Sequence, residues 1–212
     1  LLSGQFLDTK KDLIKYEGFF DFYYSENDGE IYLEVESLDQ EFLFVHFLSS
    51  GLGSNDIGLD RGQIGDGVVV KFIKSGNKLL LLQPNQNFRA NTDNELEKRS
   101  VEQAFAKSVL FGFPIKETKD KSYIIDITPF LMEDAHGVIQ RLKSKKEGNY
   151  KIDKTRSAIW TENTKAFPKN VEFESMITYI GQPTGKQVST VSPDPTSITM
   201  IQHYSFIELP DD

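Results

Sequence analysis

In run after run of this chain an apolar residue returns at every second position. Phe20, Phe22 and Tyr24 alternate with Phe19, Asp21 and Tyr23, and Ile31, Leu33 and Val35 alternate with Tyr32, Glu34 and Glu36. Successive side chains of an extended chain point to opposite faces, so this period predicts strands with one face on a core. Asp28-Gly29 between the two runs is a tight-turn signal and makes them a hairpin. Residues 42–48 are apolar on both faces apart from His46, the pattern of a central strand. Further strands are expected over 68–73, 79–82, 123–127, 171–180 and 198–207, with Ser75-Gly76-Asn77 turning the chain between the first two of these.

Two stretches carry a helical period instead. Thr92 and Glu95 have the spacing of a capping box, and Val101, Ala104, Phe105, Ser108 and Val109 share a helical face that Gly112 and Pro114 would end. Thr128-Pro129 opens a second helix, with Leu131, Ala135, Val138, Ile139 and Leu142 as its buried stripe. Strict strand–helix alternation is missing, which argues against a parallel doubly wound sheet. The expected class is therefore α+β: a mostly antiparallel β-sheet with two amphipathic helices packed on one face. Residues 1–16 read as an N-terminal lead-in and 17–212 as one domain. With 212 residues, 25 of them Phe, Tyr or Trp, the chain can bury a core, and wholesale disorder is excluded.

Composition removes several chemistries. There is no Cys, hence no disulfide framework, thiolate metal site or Cys nucleophile. The net charge of −8 argues against nucleic acid as a partner. No apolar run reaches the roughly 20 residues of a transmembrane helix. Charge is segregated: eleven acids and no Lys or Arg lie between Tyr16 and Asp60, whereas Arg141–Arg156 holds seven bases against two acids. These read as solvated faces, or as surfaces complementary to each other or to a neighbouring domain.

The stretch from Gly51 to Gly67 has six glycines in seventeen residues, with Asn55, Asp56, Asp60, Arg61 and Gln63 among them. So many glycines imply special backbone angles or close chain approach. The stretch reads either as a long ordered connection or as a docking or substrate-proximal loop. No GK[ST] follows, as a phosphate loop requires; the hard oxygen ligands leave a calcium loop open, although the acids do not have EF-hand spacing. His46, His136 and His203 lie on different expected elements with no HExxH pair, so each reads as a hydrogen-bonded structural residue, His136 and His203 remaining low-ranking polar sites. No GxSxG elbow or triad spacing is present, and the pairs Asp126/Asp134 and Glu172/Glu174 read as surface carboxylates. Neither a catalytic nor a metal-ligating residue is assigned. Aromatics near Trp160 keep a glycan- or peptide-binding role open.

The strings GSNDIGLDRGQ (53–63), DAHGV (134–138), TRSAI (155–159), SPDP (192–195) and QHYSFIELPDD (202–212), in this order, resemble the N-terminal domain-of-unknown-function region of a family of exported bacterial zinc-dependent metalloproteases of the Bacteroidetes type. The resemblance covers about residues 17–212. It implies that the zinc and its HExxH helix belong to a downstream catalytic domain, and that this region needs no cofactor of its own. The expected partner is that catalytic domain, and the expected location is the periplasm, the outer membrane or the exterior. An opening Leu1 and an ending at Leu209-Pro210-Asp211-Asp212 agree with a segment cut from a longer exported chain. A glycan- or peptide-binding module and an autoinhibitory pro-segment are the alternatives.

Overall fold

The computed structural model describes residues 6–210. Residues 1–5 of the lead-in, and Asp211 and Asp212 at the end of the last resemblance string, lie outside them. Twelve strands form one sheet: β1 (Leu13–Tyr16), β2 (Asp21–Ser25), β3 (Glu30–Val35), β4 (Glu41–Ser50), β5 (Val68–Ser75), β6 (Lys78–Gln83), β7 (Ser108–Lys119), β8 (Ser122–Asp126), β9 (Gly148–Ile152), β10 (Ala158–Phe167), β11 (Asn170–Pro183) and β12 (Ser197–Glu208). Their order is β1-β2-β3-β8-β7-β6-β5-β4-β12-β11-β10, with β9 pairing the far end of β11. Every named pairing is antiparallel, from β1–β2 through β10–β11. The sheet curls until its ends meet, and the Phe19 N–H donates to the Phe167 carbonyl at 2.8 Å across the seam.

Strand accounts for 47% of the residues and helix for 16%, so the fold is largely β and the expected α+β class is corrected. Each expected helix is present only in part. The first helix, α1 (Glu95–Ala104), stops before Phe105 and buries none of its residues. Its cap is Asn94, whose side chain accepts from the Leu96 N–H, rather than Thr92. The chain from Ser108 onward is strand β7, in which Phe113 is buried opposite Leu79. Gly112 and Pro114 do not end a helix. They lie where β7 leaves β6 for β8, next to a register shift at Ile115/Glu117, and a proline without an N–H suits such a bend. The second expected helix is split into α2 (Thr128–Leu131) and α3 (Val138–Ser144), separated by Gly137 at φ +69°. A left-handed residue cannot continue a helix. Its stripe holds nonetheless, since Leu131, Val138 and Leu142 are fully buried. A fourth short helix is α4 (Gln187–Val191).

The inner face of the curled sheet holds the main core. Phe22, Leu33, Phe42, Phe72, Phe113, Phe173 and Phe206 are essentially without solvent contact. Their rings meet edge-on or tilted, Phe42 and Phe206 at 5.1 Å and Phe22 and Phe173 at 5.2 Å between centroids. A second core lies farther along β4, β11 and β12. There Leu48, Ile177, Tyr179, Ile198 and Met200 pack against Leu52, Ile57 and Leu59 of the glycine-rich stretch, against Val138 and Leu142 of α3, and against Val188 of α4. The inner face of β12 runs Ile198, Met200, Gln202, Tyr204, Phe206, so buried Gln202 marks the polar boundary between the two cores. None of the helices among the described residues is long and apolar enough to cross a membrane.

Candidate functional site

The glycine-rich stretch is an ordered loop fastened to the end of β4. The Leu52 N–H donates to the Leu59 carbonyl at 2.7 Å, closing an inner turn. The Gly62 N–H donates to Leu48 O at 2.7 Å, the Leu48 N–H to Gln63 O at 3.1 Å, and the Gly65 N–H to His46 O at 2.9 Å. The limb 62–65 thus runs along β4, with Phe47 and Ile64 bridged. The need for glycine is explicit at Gly51, where a Cβ would lie 2.4 Å from the Leu59 carbonyl oxygen. Of the five polar residues expected to form a contact surface, four are taken up in holding the loop in place. With its amide nitrogen turned toward Asp60, Asn55 donates to that carboxylate at 2.9 Å. Asp56 accepts from Gln187 Nε2 of α4 at 2.9 Å, and Ser54 donates to the same amide's oxygen at 3.3 Å. Gln63 contributes its backbone to the pairing with β4. Arg61 is exposed, and Ile64, at 66% exposure, is held outward on a limb whose backbone is fixed. The two segregated charge stretches are joined by no ion pair among the described residues; the acidic side uses Lys15 for Asp21 and Lys71 for Asp39.

At the boundary between the cores, His46 of β4 and His136 of the Asp134–Gly137 turn come together although 90 positions separate them, with their Nδ1 atoms 3.4 Å apart. The DAHGV string explains the placement of His136. The Asp134 carboxylate accepts from the N–H groups of Val138 (2.8 Å) and Ile139 (2.9 Å) and from the Tyr179 hydroxyl (3.0 Å). Gln202 accepts from the His136 N–H and donates to the Glu133 carbonyl, both at 2.9 Å. His46 is pinned from above, because Gly65 passes so close that a Cβ there would lie 2.0 Å from Cε1. Burial holds both imidazoles below the usual histidine range, and His136 is lowered further by the neighbouring His46.

His203 lies elsewhere, on the outer face of β12. Its Nε2 is 2.6 Å from Glu172 Oε2 and its Nδ1 3.1 Å from Glu174 Oε1. Burial alone would lower the His203 pKa, but hydrogen bonds to the two carboxylates outweigh it and raise the value. Burial alone would raise Glu172, but hydrogen bonds from His203, Ser205 and Asn170 bring it below the usual range. Both directions describe an imidazolium clasped by carboxylates, in place of the surface pair that sequence spacing suggested. Glu172 and Glu174 are two apart on a strand, as are His203 and Ser205, so each pair shares a face; only the β11–β12 register, Glu174 opposite His203, brings the pairs together. The row continues to Trp160 on β10 and Phe47 on β4. Phe47 stacks on His203 at 4.3 Å between centroids. Among the described residues, no group of three His, Cys, Asp or Glu side chains is gathered as a metal centre.

Comparison with known families matches residues 62–212 to the family described as a domain of unknown function, DUF5117. No curated protein and no solved structure matches the chain.

Proposed function

The chain belongs to the DUF5117 family, and from that premise we propose that it is a non-catalytic accessory domain of an exported zinc metalloprotease, which packs against the catalytic domain and forms one wall of its substrate cleft. The observation that carries this reading is the outer limb of the glycine-rich loop. Its backbone is tied to β4 while Ile64 and Arg61 face solvent. A rigid limb loses little entropy on docking, an exposed aliphatic side chain supplies apolar burial, and a guanidinium takes a carboxylate in two-pronged fashion. The resemblance of the five strings to the region preceding the protease domain supplies the partner. The zinc and its general base would reside in that partner.

The test uses the longer polypeptide and the 212-residue chain side by side. Backbone amides of residues 61–67 exchange more slowly in the longer polypeptide, and Arg61→Ala with Ile64→Asp lowers its peptidase activity while leaving the melting of the 212-residue chain unchanged. Equal exchange in both, with unaltered proteolysis by the double variant, overturns the proposal. A second reading, a glycan- or peptide-binding module, is favoured by one observation: Trp160, Glu174, His203 and Phe47 lie in register across four strands of the outer face, with Phe167 44% exposed beside them. Saturable binding of an oligosaccharide or peptide to the 212-residue chain, abolished by Trp160→Ala, would support it.

A further inference from the structure

The polar layer between the two cores holds more than packing requires. His46 and Gln202 lie on the inner faces of β4 and β12, and Ser175 of β11 pairs opposite Gln202. Gln202 is satisfied on both sides, by the His136 N–H and the Glu133 carbonyl. The two imidazoles are satisfied less well. Their Nδ1 atoms are 3.4 Å apart with rings at 86° to one another. Nitrogen–oxygen hydrogen bonds cluster at roughly 2.9–3.0 Å, so a shared proton would be poorly held across this gap. The same gap suits another occupant. Two nitrogens each about 2.0–2.1 Å from one tetrahedral ion are about 3.3 Å apart.

We propose that His46 and His136 form a two-imidazole site for a divalent transition-metal ion of the zinc–copper class, bound through Nδ1 of each ring with the remaining positions open to water. Imidazole nitrogen is the ligand this class prefers, whereas calcium and magnesium require oxygen. The frame that holds the rings is independent of the ion. His46 is fixed by the sheet and by Gly65 over its ring, and His136 by the Asp134 and Gln202 hydrogen bonds. The carboxylates of Asp66 and Asp134 place negative charge near His46, and Arg141 places positive charge near His136. His46 lines a cleft whose walls include Phe44, Phe130, Met132, Glu133 and Lys154. The site lies beneath the glycine-rich loop but does not depend on the docking reading, since it belongs to the 212-residue chain alone.

The experiment titrates the 212-residue chain with zinc chloride by calorimetry, and records long-range nitrogen-15 spectra of its histidine rings. The expected result is one zinc per chain, with the Nδ1 signals of His46 and His136 moving together and those of His203 unmoved. Replacing either residue, His46→Gln or His136→Gln, weakens uptake at least about tenfold, the loss that removing even an outer partner of a metal ligand brings. Absence of saturable uptake, uptake undiminished in both variants, or a shift confined to His203 overturns the site. The spectra of the unaltered chain decide the matter if a variant fails to fold. A peptidase defect in the longer polypeptide without zinc uptake here would leave the docking reading intact and remove this one.

Discussion

The proton on His203 sets the electrostatics of the outer face, and its consequence has a definite sign. The imidazole has a raised folded pKa against an ordinary value of 6.5, so its stabilising contribution is complete below 6.5 and is lost as pH rises through the raised value. Glu172 is lowered against an ordinary 4.5, so its contribution is present above 4.5 and is lost as pH falls through the lowered value. The His203–Glu172 pair therefore stabilises most between pH 4.5 and 6.5. Urea unfolding of the wild type and of His203→Leu across pH 4 to 9 should show a gap of about 3 kcal/mol near pH 6 that narrows toward alkaline pH. A gap independent of pH would mean that the cluster is held by packing and not by charge. Gly51 offers a second test at this scale. Gly51→Ala puts a methyl group 2.4 Å from a backbone oxygen that is itself bonded to Leu52, and should cost about 1–3 kcal/mol in the same measurement. Gly67→Ala meets only ordinary contacts at 3.4 Å and should be nearly neutral.

At the scale of elements, the two longer helices should respond to truncation very differently. Leu96 of α1 is 76% exposed and Leu142 of α3 is fully buried, so Leu96→Ala should stay within about 0.5 kcal/mol of wild type while Leu142→Ala loses about 2–5 kcal/mol. Comparable losses in chemical denaturation would show α1 packed more tightly than the structure has it. The contrast also shows which signals in the sequence were legible. Strands β2 and β3 were readable because each alternates with a period of two, and β4, β5 and β6 because their apolar runs are too short for a helix and are bounded by turn signals. The stripe Val101, Ala104, Phe105, Ser108, Val109 satisfied the helical period by coincidence, because a true helix ends at Ala104 and a strand begins at Ser108. Tertiary pairing of Ser108 with Gln83 and of Val109 with Leu82 decided the second half, and a local pattern does not contain that information. That the stretch is an ordered connection with special backbone needs was legible from its glycines, but its division of labour was not: Asp56 is tied by Gln187, 131 positions away. The His46–His136 meeting was hidden for the same reason, since each lies on a different element and only the fold brings them within 3.4 Å.

For the whole molecule, the decisive event is closure of the sheet. An open sheet of this length would expose two edges, β1 and β10, each a template for pairing with another chain. Closure rests on a short crossing in which the Phe19 N–H reaches the Phe167 carbonyl at 2.8 Å and the Gly18 N–H is taken by Asp21 at 3.1 Å. The crossing is tight because Gly18 has no side chain. A Cβ there would lie 2.6 Å from Phe167 O, 2.7 Å from Phe167 N and 2.8 Å from the Ala166 Cβ, two of them backbone atoms that cannot rotate away. Gly18→Ala must therefore push the seam apart, and three effects should appear together. Stability falls by about 1–3 kcal/mol, as overpacking of a fixed contact requires. The Phe19 amide, protected in the wild type, exchanges with solvent. The freed edges promote concentration-dependent association, visible in light scattering. A variant that retains wild-type stability and Phe19 protection would show that the core aromatics alone, Phe20 and Phe22 against Phe206 and Phe173, hold the ends together and that the seam hydrogen bond only follows. Loss of protection at Phe19 without association would instead locate the defence against edge pairing in the ionic coat of β1 and β2, where Lys15 bridges Glu17 and Asp21.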